Sequence, residues 1–122
     1  MNYSNLELRV QQFKAEVART RALLARETGR FIVIREVELI PYNSAGRVAD
    51  PDYFDLKDLA DTRAVGKAVA TLLNDNPDAD GVSLEVGFDA YVSKRAFDEG
   101  WDYDPRIWHV EVELERAELA GI

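Results

Sequence analysis

The chain opens on a helical rhythm. Leu6, Val10, Phe13, Val17 and Leu24 recur at spacings that place them on one stripe of an α-helix, predicting a long helix over about 5–28. Ser4 and Glu7 have the spacing of a reciprocal capping box, and Tyr3 and Leu8 occupy the two positions of a hydrophobic staple. Gly29 supplies a left-handed stop after Arg26. The same helix carries a stripe of small residues, Ala15, Ala18, Ala22 and Ala25. Such a stripe lets another helix approach closely, or it reflects no more than the helix preference of alanine.

Alternation follows. Residues 31–40 read as a strand ended by Pro41, with Phe31, Val33, Val37 and Leu39 on one face, interrupted by Arg35. Ile32, Ile34, Glu36, Glu38 and Ile40 take the other face. Residues 43–55 are dense in turn formers and read as a loop. A second helix is expected over 61–74, capped by Asp61, with Val65, Val69, Leu72 and Leu73 as its buried edge and a helical lead-in at Leu56 and Leu59. The run from Asn74 to Gly81 stops it. Val82, Leu84, Val86, Phe88, Ala90 and Val92 then alternate with Ser83, Glu85, Gly87, Asp89, Tyr91 and Ser93. After a loop at 95–106, Trp108, Val110, Val112 and Leu114 alternate with Ile107, His109, Glu111, Glu113 and Glu115.

The order helix, strand, helix, strand, strand predicts an α+β two-layer sandwich. A strand–helix–strand crossover makes its two strands parallel, and the closing hairpin is antiparallel. The expected sheet is therefore three-stranded and mixed, with both helices on one face. The other face would carry Glu36, Glu38, Glu85, Asp89, Glu111, Glu113 and Glu115, with no Lys or Arg among the outward strand positions. Carboxylates opposite one another repel unless something cationic covers them.

Charge changes how that face is read. The formal net charge is −8, but residues 1–35 carry +4 and the remainder −12. A single domain over 1–122 is expected, with a basic amphipathic helix over 1–29 and an acidic body over 30–122. A hydrophobic fraction of 47% and a charged fraction of 31% suit a folded protein. Acidity argues against direct binding to nucleic acid or an anionic membrane. Met1–Glu7 lacks a basic stretch leading into an apolar run, and no run is long enough for a membrane span, so a cytoplasmic setting is expected.

The candidate chemistry is sparse. With no Cys there is no disulfide framework, Cys-ligated zinc, iron–sulfur cluster or thiol catalysis. Asn76 to Gly81 resembles the first half of a calcium loop, but Gly87 stands where the bidentate Glu belongs and Pro77 sits inside. Asp98, Asp102 and Asp104 make no stronger case. His109, the only His, is expected outward beside Glu111, where it could act as a base or do nothing. None of Ser4, Ser44, Ser83 and Ser93 lies in a nucleophile elbow, and the glycines form no phosphate loop. No metal or cofactor is expected.

The expectation is a non-enzymatic protein that docks on a basic surface, such as that of a nucleic-acid-binding enzyme or complex. That is the logic of a nucleic-acid mimic, a phage anti-defence inhibitor or a toxin antagonist. The candidate contacts are the seven carboxylates above together with Trp101, Asp102, Tyr103 and Asp104, whose alternating aromatics and acids suit an interface tip. The alternatives are self-association, as a homodimer through the N-terminal helix, and, more weakly, a small α+β enzyme using His109.

Overall fold

In the computed structural model, residues 3–119 are described, without the side chain of Tyr3. The first helix, α1, spans Tyr3–Thr28. Ser4 therefore lies inside its first turn, not at the cap, and the Tyr3 half of the expected staple lies outside the described residues. At the other end Gly29 adopts φ 65° and its N–H donates to the Ala25 carbonyl, the left-handed stop expected there.

The strands are β1 (Phe31–Ile34), β2 (Val37–Asn43), β3 (Gly46–Arg47), β4 (Asp52–Phe54), β5 (Gly81–Tyr91) and β6 (Tyr103–Glu115). Two further helices are α2 (Thr62–Asp75) and α3 (Lys94–Glu99), with 3-10 turns at Leu56–Ala60 and Arg116–Leu119. The class is α+β, as expected. The sheet is not the three-stranded mixed one: among the described residues it has six strands, and every pairing is antiparallel.

The reason lies in the segment read as a loop. Asn43 turns the chain by accepting the Ala45 N–H on its side chain, and β3 and β4 then run back along β2. The chain returns to the starting end of β2 before α2 begins. Asp61 caps α2 by accepting the Ala64 N–H at 3.1 Å, as the sequence predicts. After α2, Gly81 pairs with Tyr42 and β5 runs antiparallel to β2. A crossover rule for parallel strands does not apply once two short strands have reversed the direction.

The second departure is a β-bulge. Ile34 pairs with Phe88 but Glu38 pairs with Glu85, so one extra residue stands between β1 and β2. Arg35 donates its N–H to the Gly87 carbonyl at 3.0 Å, which places the extra residue at Arg35 and Glu36. Because side chains alternate with period two, the insertion swaps faces. Ile32 is buried with Val37 and Leu39, while Phe31 and Val33 stand on the opposite face from that core. Arg35 had looked like an interruption; it marks the bulge.

Pro41 does not end the strand either. The Arg35–Gly87 bond points the odd β5 residues toward β2, so the even β2 residues pair with β5 and the odd ones face away. Pro41 lacks an N–H where β5 needs none, and its carbonyl accepts the Val48 N–H at 3.0 Å.

One core joins these elements. Leu6, Val10, Phe13 and Val17 of α1 and Val65, Val69, Leu72 and Leu73 of α2 cluster with Ile32, Leu39, Val82, Leu84, Phe88, Val110 and Leu114 of the sheet. Arg116 closes one end, donating to the carbonyls of Leu73, Asn76 and Ala79 at 3.0–3.2 Å and so satisfying the exit of α2. Among the described residues no helix is long and apolar enough to cross a membrane.

Candidate functional site

Register brings the central carboxylates into line. Glu38 pairs with Glu85, and Glu85 pairs with Glu111. The pleat makes Glu38–Glu85 a hydrogen-bonded pair and Glu85–Glu111 a non-bonded one, whose Cα atoms approach to about 4.5 Å. Glu113 stands opposite Ser83, Glu115 opposite Gly81, and His109 opposite Gly87. Tyr42 closes the row, its phenol pushed up to about 12 by burial and then by Glu113 and Glu115.

Glu85 registers the crowding. Burial first, and the Glu111 charge second, raise its carboxyl above the ordinary 4.5, against the Ser83 hydroxyl and His109, which lower it. The folded state thus holds a proton on Glu85 to higher pH than the unfolded state does. Its ionisation weakens the fold as pH rises through that range. Glu85→Gln is expected to stabilise the protein by less than about 0.5 kcal/mol at about pH 7, because solvent screens the part-exposed carboxyl, with the gain shrinking as pH falls toward 4.5 and gone by about pH 4. Urea unfolding at both pH values checks this, and a gain that grows on acidification reverses the sign.

The face is not free of cations, contrary to expectation. Arg35 enters through the β1–β2 bulge and Arg106 through a second irregularity, where Pro105, Arg106 and Ile107 stand opposite Asp89 alone. Arg106 adopts φ 44°. Both guanidinium stems lie against Gly87, within about 3.4 Å of where a Cβ would stand. Asp89, only 7% exposed, accepts the Arg106 N–H at 2.9 Å and faces Arg35 Nη1 at 3.3 Å. It is thereby tied to both irregularities as a structural anchor. Arg106 also donates to Glu38 at 2.9 Å. Glu36 has left the row, since the bulge directs it into a depression with Tyr53, Asp55, Asp58 and Asp61.

The aromatic–acidic segment divides. Its first part is α3, capped by the Ser93 side chain and ended by Gly100 at φ 71°, where the sequence suggested a loop. Tyr103 stacks on Tyr91 with ring centroids 4.6 Å apart, and Phe97 packs on Phe31 and Tyr91 at 5.6 and 5.2 Å. Asp104 is ion-paired with Arg30. Trp101 and Asp102 stay exposed. Sequence reasoning missed Trp108, expected to be inward but 59% exposed. It lies opposite Phe88 on the core side, but on the outermost strand β6, beside a depression with Ala15, Glu16 and Arg19 of α1.

The stretch from Asn76 serves as a helix stop. Asn76 caps α2 through its N–H to the Leu72 carbonyl, and Ala79 turns back onto Asn76. Among the described residues no cluster of three or more His, Asp or Glu is arranged to hold a metal ion. Arg35 and Arg106 had one readable signal, a cation interrupting an alternating strand and a Pro–Arg step before one. Set against known proteins, the chain matches no family model, no curated protein and no solved structure.

Proposed function

We propose that this chain is a non-enzymatic acidic binding protein that docks on a basic surface of a macromolecular partner, as an inhibitor occupying a cationic groove does. The observation that carries the reading is the line Glu38–Glu85–Glu111, continued along β6 by Glu113 and Glu115. Among the described residues, Glu85, Glu111, Glu113 and Glu115 form no ion pair. Charges held unneutralised side by side disfavour the free protein slightly and favour a cationic partner. Trp101 and Trp108 supply exposed ring area outside the row, Trp108 on the opposite face of β6.

Combined substitution of Glu85, Glu111 and Glu113 by Gln is expected to weaken binding to a lysine-rich model peptide by at least about tenfold and to flatten its salt dependence. The control removes equal charge elsewhere, replacing exposed Glu7, Glu27 and Asp75 by Gln or Asn. Titration calorimetry at low and high salt reads both. Equal losses in the two triple variants reduce the effect to net charge and overturn the reading.

One feature favours self-association instead. Val17, Ala18, Ala22, Ala25, Ile34 and Leu56 line a largely apolar depression of about 530 Å³, rimmed by Lys14 and Arg21. It contains three of the four alanines of the small-residue stripe. Sedimentation across protein and salt concentration tests it: a monomer throughout removes the reading.

A further inference from the structure

We infer that the outer edge of β6 receives an added strand, and that its occupant is an extended basic segment of a partner protein alternating apolar residues with Lys or Arg. This rests on the proposed acidic docking function and names its geometry.

β6 pairs with β5 alone among the described strands. Since the odd β5 residues point toward β1 and β2, the even β6 residues bond to β5 and the odd ones direct their N–H and C=O outward. Arg9 confirms this at one point, donating to the Glu113 carbonyl at 2.7 Å from α1. Natural sheets blunt such edges with Pro, bulges and charged side chains. Here Pro105 and the irregularity at Arg106 blunt the beginning, and Arg9 covers Glu113. Between them the stretch from Trp108 to Val112 is left open, beside a groove of about 510 Å³ shared with α1.

The two faces of this edge specify the occupant. On one side an added strand meets the carboxylates Glu111 and Glu113, which call for cations. On the other it meets Trp108, Val110 and Val112 and the Ala15 wall of α1, which suit small apolar residues. Arg19 in that groove is already ion-paired with Glu16. A second copy fits poorly, because β6 paired antiparallel about Glu111 or Glu113 sets that carboxylate against its twin. Backbone pairing with alternate side-chain pockets is the physics of strand addition.

The probe is a ten-residue peptide alternating Val and Lys, compared with the same peptide N-methylated at alternate residues. N-methylation keeps the charge and removes the strand's hydrogen bonds. The unmodified peptide is expected to bind at least tenfold more tightly, and to slow amide exchange at His109 and Glu111. His109→Pro, which deletes an outward N–H and no carboxylate, should weaken it tenfold, whereas His109→Ala leaves binding within twofold. Equal binding of the two peptides overturns strand addition and leaves acidic docking standing. Binding indifferent to the Glu-to-Gln triple variant overturns acidic docking itself. A dimer in sedimentation that the peptide fails to dissociate assigns the edge to a second copy and overturns the inference.

Discussion

Gly81→Ala is expected to lower the free energy of unfolding by about 3 kcal/mol, although it adds a single methyl group. Gly81 begins β5 without a positive φ, so its requirement is for space. A Cβ there would stand 2.2 Å from the Leu114 carbonyl oxygen and 2.9 Å from the Tyr42 hydroxyl. The Tyr42 side chain can move, but the Leu114 carbonyl belongs to the β5–β6 ladder. Relief therefore requires the two strands to part at the end where Arg116 ties β6 to α2. Gly87→Ala makes the contrast. Its nearest neighbours are the Arg106 and Arg35 side chains at 3.3–3.4 Å, which shift readily, and the expected cost is below about 1 kcal/mol. Urea unfolding of the two variants separates them, and equal costs refute the steric account.

The same contacts explain how much was legible in the sequence. Helix periodicity, the Asp61 cap and the β5 alternation are local signals, and α1, α2 and the antiparallel β5–β6 pair follow them. The β1–β2 bulge is not local. Phe31 to Ile40 alternates well enough to read as one strand, and only the pairing with β5 decides that Arg35 and Glu36 share one opposite residue. That single slip moved Glu36 out of the row, brought Arg35 onto Asp89, and reversed the inward set of β1. The direction of the sheet was hidden similarly. β3 and β4 are two and three residues long, too short to show a period, yet they turn a parallel expectation antiparallel. Glu85, Glu111, Glu113 and Glu115 share one face, as expected, because alternation survives in β5 and β6, and Glu38 joins them through the β2–β5 register. The intramolecular partners of Asp89, Tyr103 and Asp104, namely Arg35 with Arg106, Tyr91 and Arg30, were not legible because each lies on another element.

Asp89→Ala is expected to cost about 2 kcal/mol, far more than a surface carboxylate, because Asp89 joins both irregularities of the sheet. Its Oδ1 accepts the Arg106 N–H in the β6 irregularity while its carboxylate faces Arg35 in the β1–β2 bulge. Removal strands the part-buried Arg106 N–H and leaves the Arg35 guanidinium over Gly87 without its anion, while the Arg106 guanidinium keeps Glu38. The partial exposure of both arginines keeps the cost below that of a fully buried pair. Asp89→Asn retains an acceptor for the Arg106 N–H and should lose about half as much. Pairing Asp89→Ala with Arg35→Ala in a double-mutant cycle isolates their coupling, expected near 1 kcal/mol. The exposed control is Asp50→Ala, whose partner Arg47 is three residues away, and it should cost less than about 0.5 kcal/mol. If Asp89→Ala costs no more than this control, Asp89 does not hold the two irregularities together. If it does hold them, the variant also loosens Arg106 from Glu38, and one more carboxylate joins the row that a basic partner would meet.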